Sequence, residues 1–411
     1  MSDRKLSQSI AGLSPEFRLV AMVSWLPSNS LSGWHQGVIS TLCGQVANWD
    51  DFLFLVERHR IPTLAYANLA AFRELVPADV LETLKKRSHV AKLYALRHVA
   101  EFSRLARLLD QAGIPCLPLK GQVLSQHLYG DPATRQAKDI DLLIRPLDLE
   151  KTDNLLRAEG YQLVEADSGL SPAQARFVLS GHQHYEYHHR QRGIILELHW
   201  RCDLWSDEDM QLLWNNTDTT RFGGLELQIM SEELQLLFLC DHGSRHKWFR
   251  LKWLGDIARI ISVNRVSSWQ KIIGLAERLD LQRSLGQSAV LLKQLYDIPL
   301  PEPMSQLAKK EISSRLACEA LDMMKILDDD IISQGGKGEG VRELFYMKRL
   351  RPSLPIMTLL RRPLVNTADY ELLRLPDRLF WFYIPLRPVL WFWRHYLSRW
   401  ITRHNTALPP G

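Results

Sequence analysis

Residues 135–144 read RQAKDIDLLI, which puts Asp139 and Asp141 one residue apart inside an apolar, β-branched run. On a strand, residues i and i+2 share a face. The two carboxylates would then stand side by side while Ile140 and Leu142 point into a core. Carboxylates that close raise each other's pKa unless a cation lies between them. A divalent metal is the simplest cation for that place. Phosphoryl or nucleotidyl transfer on such a metal needs a third carboxylate from a neighbouring strand and backbone N–H groups at a helix start to hold phosphates. Glu197, polar among the apolar residues of IILELHW, fits the third carboxylate. Lys120 and Gly121, at a strand-to-helix turn, fit the phosphate end: glycine admits close backbone approach, and the lysine brings a charge. Arg135 is placed either to contact phosphate or to cap its loop and pair with an aspartate.

The elements that must position these residues follow from periodicity. Residues 1–110 read as helices, with a clear amphipathic segment over 95–112 closed by Gly113. IPCLPL (114–119) reads as a strand, QVLSQHLYG as a helix and DIDLLI as a strand. LDLEKTDNLLRAEG is a helix with a glycine stop, and YQLVEA is a strand. This alternation marks an α/β domain. HQHYEYHHR and IILELHW flank the turn-forming Gln191-Arg192-Gly193, which predicts a hairpin. A long periodic segment then runs from Ser231, which caps it with Glu232 and Glu233, to about Ile261. Further helices cover 268–296 and 303–328, and a glycine-rich loop covers 332–340.

Two other clusters carry potential chemistry. His182, His184, His188, His189 and His199 gather on the predicted hairpin, where His184, Glu186 and His188 share a face, as do Glu197 and His199. Such spacing builds either a metal site or a set of phosphate donors beside acidic ligands. On the segment 231–261, His242, His246, Phe249, Trp253 and Asp256 form one stripe, with Lys252 four residues before Asp256. One reading is a packed face with an ion pair. The other has Lys252 and His246 reaching a triphosphate, with Asp256 orienting the lysine.

With 411 residues the chain is long enough for two or three cores. Its formal net charge of +5 suits a phosphate-bearing substrate and gives no strong nucleic-acid signal. Cysteines 43, 116, 202, 240 and 318 lack paired spacing, which argues against a thiolate zinc site or a disulfide framework and for a reducing, cytoplasmic location. There is no signal-peptide layout and no run near the roughly 18 apolar residues of a spanning helix. The C-terminal LFWFYIPLRPVLWFWRHYLSRW has too many prolines and arginines to span a bilayer. An aromatic–basic segment of this kind either lies on a membrane surface or packs on its own domain.

LKGQVLSQHLYGDPATRQAKDIDLLI, GY, HQHY, LELHW and HGSRHKWFRLKWLGDIARI, flanked by HRIPTLAYANL and TADYELLRLPDRLF, resemble the uncharacterised nucleotidyltransferase family within the DNA polymerase β superfamily. The resemblance implies an α+β fold: a nucleotidyltransferase palm, with a mixed β-sheet and helices, between N-terminal and C-terminal helical regions. Its parts would be a helical region over 1–110, the palm over 111–228, a helical domain closing the active site over 229–330 and a Pro/Arg/aromatic-rich segment over 331–411. It implies a catalytic metal set of Asp139, Asp141 and Glu197 holding Mg2+ or Mn2+. Nucleotide contacts would come from Lys120, Gly121, Ser125, Arg135, His246 and Lys252. Where the superfamily's helix start reads Gly-Ser, Gly121 is followed here by Gln122, with Ser125 further on. The implied reaction moves a nucleoside monophosphate from an NTP to a hydroxyl of a sugar, peptide, protein or other acceptor. A metal-dependent hydrolase using the histidine-rich hairpin, or a silent palm serving as a binding partner, are the alternatives.

Overall fold

The computed structural model describes residues 2–164, 183–202, 204–263, 266, 268–327, 339–355 and 372–393. His182, most of the glycine-rich loop and the last residues of the aromatic segment lie outside them. The architecture is α+β, with a mixed five-stranded sheet among helices. The N-terminal helices are α1 (Ser2–Ala11), α2 (Pro15–Met22), α3 (Gly33–Cys43), α4 (Trp49–Arg58), α5 (Pro62–Leu69) and α6 (Ala78–Gln111). The amphipathic pattern at 95–112 is the end of α6, a 34-residue helix. It stops where Gly113 takes φ +66 and Ile114 N–H returns to the Leu109 carbonyl.

Strands β1 (Cys116–Pro118), β2 (Ile140–Ile144), β3 (Gln162–Leu163), β4 (His184–His189) and β5 (Ile194–His199) form the sheet in the order β1-β2-β5-β4-β3. Only β2 and β5 run parallel among these pairs. Helix α7 (Gly121–Tyr129) joins β1 towards β2, and α8 (Leu149–Ala158) follows β2. Alternation along β2 and β5 splits the sheet into two faces. Ile140, Leu142, Ile144, Ile194, Leu196 and Leu198 pack with Tyr187 against Phe102, Leu105 and Leu109 of α6. Leu143, on the opposite face, joins Leu117 and Leu119 in the large core of the helices. The same face also carries Asp141, Glu197 and His199.

A second hairpin, β6 (Thr217–Phe222) and β7 (Leu225–Met230), follows helix α9 (Asp207–Trp214). It turns at Gly223-Gly224, both with positive φ, the two-residue loop that suits strand twist. The predicted single helix over 231–261 is two helices, α10 (Glu232–Arg245) and α11 (Leu251–Ser262). Lys247 and Trp248 take φ +49 and +54 at the break. Left-handed backbone at two non-glycine residues costs about 1–3 kcal/mol each. Burial of Trp248 offsets it: the ring is fully buried against Gly243, where a Cβ would fall 2.4 Å from the indole. Ser231 stands at the N-cap of α10, but its hydroxyl makes no capping bond. Helices α12 (Trp269–Arg278), α13 (Gln282–Tyr296), α14 (Glu302–Ala308), α15 (Glu311–Met324), α16 (Glu339–Leu350) and α17 (Tyr383–Phe392) complete the described chain. None of the described helices is long and apolar enough to cross a membrane.

The loop between α7 and β2 is tied to α11 by a buried ion pair. Arg135 Nε donates to both carboxylate oxygens of Asp256 at 2.8 Å, with side chains 3% and 0% exposed. Asp256 thus holds Arg135, which the sequence does not announce, and its charge also acts on Lys252 on the same helix. Removing one partner of such a pair strands the other charge and costs about 3–5 kcal/mol. Urea unfolding of Asp256→Ala should show a loss of that order, and the combined Arg135→Met/Asp256→Leu change should lose less than Asp256→Ala alone. Equal losses would show that the pair is not the link.

Candidate active site

Parallel pairing of β2 with β5 sets the site's register. Asp141 lies directly opposite Glu197, and Leu143 opposite His199. The β4–β5 hairpin adds Glu186 opposite Glu197 and His184 opposite His199 on the same face. Asp139 immediately precedes β2, two residues from Asp141 and half-buried. The topology thus gathers Asp139, Asp141, Glu197, His199 and His184, which come from three separate stretches of chain.

The cation that two adjacent carboxylates call for is supplied first by the protein. Lys120 Nζ lies 3.2 Å from Asp141 Oδ1, with side chains 14% and 3% exposed. Burial works against the Lys120 ammonium, but Asp141, Asp139 and Glu197 outweigh it and raise its pKa. Burial likewise acts to raise Asp141, yet Lys120 and His199 hold it far below the usual carboxylate range. Asp139 goes the other way. Burial and the Asp141 charge push it up, against Lys120, Lys252 and Arg60. His199 Nε2 sits 3.2 Å from Glu197 Oε2 and 3.5 Å from Asp141 Oδ1. Burial disfavours its charged form, but the two carboxylates prevail and raise its pKa.

The start of α7 borders these groups. Leu119 N–H donates to the Asp141 carbonyl at 3.2 Å. Gly121 takes φ +76, and a Cβ there would lie 4.0 Å from the Asp139 carbonyl oxygen. No side chain caps this helix, so its first amides remain available to an anion. Gln122 is 4% exposed, and its Nε2 has no hydrogen-bond partner among the described residues.

Other expected contacts sit differently. Ser125 is fully buried, donates to the Asp131 carbonyl at 2.7 Å and accepts from Arg135 N–H at 3.0 Å. It and Arg135 are both engaged in building the loop. Lys252 is 7% exposed and donates to the Gln136 carbonyl at 2.8 Å. Burial, with Arg135 and Arg60 nearby, lowers its pKa well below that of a free lysine. Its ammonium anchors the loop that delivers Asp139, and its charge acts on that carboxylate. His246 is exposed and joins His242, Phe249 and Trp253 in an aromatic cluster with ring centroids 4.8–6.4 Å apart. Within the histidine group, His188 pairs with Glu186 at 2.6 Å. His189 is buried on the other face, where it packs edge-on to Tyr161 and accepts from Arg192.

His184, His199 and Arg60 stand at the site but have no place in the expected catalytic and nucleotide-binding sets. His199 reaches Asp141 and Glu197, and its spacing of two from Glu197 was the available signal. Arg60, in HRIPTLAY between α4 and α5, acts on both Asp139 and Lys252. Nothing in its local pattern points there.

The residues fit a divalent cation. Asp141 Oδ1 is buried with Lys120 Nζ 3.2 Å away, and Glu197 stands opposite Asp141 on the paired strand, so two hard oxygen donors face the same side of the sheet. His184, Glu197 and His199 also offer ligand atoms within 4.8 Å of one another.

Comparison with known proteins gives no curated protein and no solved structure that matches. A family-level profile, described as an uncharacterised nucleotidyltransferase, matches residues 45–297, more than half of the 411 residues. That span opens just before α4, closes with α13 and contains every residue of the site. The chain belongs to the uncharacterised nucleotidyltransferase family.

Proposed function

We propose that the chain transfers a nucleoside monophosphate from an NTP to an acceptor hydroxyl and releases pyrophosphate. The observation that carries this reading is the register of Asp141 against Glu197, with Asp139 alongside and an uncapped glycine-led helix start next to them. Asp139, Asp141 and Glu197 would hold magnesium or manganese, which when bound supplies Lewis-acid stabilisation of phosphate charge. The first amides of α7 bind phosphate oxygens, and Gly121, lacking a Cβ, lets them approach. Gln122 Nε2 is a further donor at the position where the superfamily carries serine. Lys120 adds a positive charge that is already held in the site by its carboxylate neighbours. The acceptor oxygen forms the bond to the α-phosphorus as the bond to the bridging oxygen breaks. Pyrophosphate leaves with that electron pair, and Glu197, half-exposed, takes the hydroxyl proton. His199 positions Glu197 and Asp141.

The assay is pyrophosphate release from each NTP with magnesium or manganese across sugar, peptide, protein and small-alcohol acceptors. Asp139→Asn, Asp141→Asn and Glu197→Gln should each lose more than about a hundred-fold in rate. Full activity in the double Asp139→Asn/Asp141→Asn chain would sink the assignment. No release with any NTP or acceptor would leave the silent palm as the better reading.

The charge balance adds an expectation about stability without metal. Asp139→Asn removes repulsion against Asp141 and should leave the melting temperature equal or higher. Asp141→Asn takes the nearest partner from a buried ammonium and should cost about 1–3 kcal/mol. Melts in chelator that move both variants equally would show that Lys120 is not the counterion of Asp141.

A further inference from the structure

We propose that His184, Glu197 and His199 form a site for a first-row transition-metal ion, distinct in its donor chemistry from the all-oxygen pair Asp139 and Asp141. It rests on the transfer reading only in sharing Glu197.

The hairpin itself assembles these donors. Antiparallel pairing sets His184 opposite His199, with ring centroids 4.8 Å apart, and Glu197 is the next residue along the same face of β5. Glu197 Oε2 and His199 Nε2 are 3.2 Å apart. Donors bound to one ion at about 2.0–2.2 Å lie roughly 3–4 Å from each other, so this pair already has the spacing of neighbouring ligands. The full trio lies within 4.8 Å, and small side-chain rotations bring it to a common centre. His184 and Glu197 are only half-buried, which leaves a path for the ion. Asp141 Oδ1, 3.5 Å from His199 Nε2, adds negative charge at the margin. Two imidazoles with one carboxylate suit manganese, iron, cobalt, nickel or zinc, whereas magnesium prefers oxygen. The competing arrangement has His199 acting only as a hydrogen-bond partner of the carboxylates, with His184 stacked on it.

Cobalt(II) separates the two. The full chain, stripped with chelator and kept in excess magnesium, is titrated with cobalt and read by its visible absorption. Bound metal is then counted by elemental analysis after desalting. The expected result is one ion per chain that magnesium does not displace. His184→Asn and His199→Asn should each weaken it by more than about ten-fold, while Asp139→Asn should leave it unchanged. Independently of any variant, wild type loaded with one equivalent of copper(II) in excess magnesium should show nitrogen hyperfine couplings in pulsed EPR. Unaltered cobalt affinity in both histidine variants, displacement by magnesium, or copper without nitrogen coupling would each overturn the site. Because no nucleotide is present, none of these results bears on pyrophosphate release.

Discussion

Asp141 sits on a strand whose other residues are core, and a lone carboxylate there carries a desolvation penalty of several kcal/mol. Much of the site's construction answers that penalty. Lys120 stands where a strand turns into α7, so its ammonium reaches Asp141 while the backbone behind it opens the helix. His199 stands three residues on from the β5 partner of Ile140, where its imidazole reaches Asp141 and Glu197 together. The more exposed Asp139 feels the same neighbours with the opposite result, because the Asp141 charge adds to its burial. Two carboxylates of one strand face are thereby made unequal. One is firmly ionised, and the other is poised to gain from any additional positive charge.

This part of the molecule was legible because its signals are local and periodic. The Asp-x-Asp spacing with apolar residues between yields both the shared face and the buried strand. The turn at Gln191-Arg192-Gly193 yields the hairpin that brings Glu197 and His199 into line. Where reading failed, the deciding contact was distant. Nothing in HGSRHKWFRLKW marks a break, since it contains no proline and its glycine lies within the preceding helix. The helix ends because Trp248 finds a fully buried slot against Gly243. The alternation in TTRFGGLELQIM was visible but fell between two stronger patterns. Arg135 and Asp256 are 121 residues apart in sequence, and neither announces its partner. Lys252 looked like a companion of Asp256 because helical spacing of four makes it one by default. Its ammonium donates to the loop carbonyl of Gln136, while Asp256 accepts from Arg135.

These distant contacts also bear on how the cleft responds to a substrate. Sequence order suggests a helical domain that closes over the palm, yet the two are stitched by hydrogen bonds at many points. Besides Arg135 with Asp256 and Lys252 with Gln136, Arg259 donates to the Leu128 carbonyl at 3.0 Å and Gln235 to the Leu119 carbonyl at 3.4 Å, while His127 meets Glu232 at 2.6 Å. Leu119, Leu124 and Leu128 share one core with Leu236, Leu254 and Ile257. Hinging α10 and α11 away from α7 would break the polar links together, at about 1–3 kcal/mol for each buried group left unpaired, and would open that core to water. The helical region thus packs directly on the palm beside the site. Lys120, by contrast, reaches the site on a long side chain, paired with Asp141 and within the field of Asp139 and Glu197. On the proposed transfer reading, a triphosphate arriving with its counter-cation would draw that ammonium from Asp141 towards phosphate. The Lys120–Asp141 pair is thus the interaction that such a substrate would have to exchange.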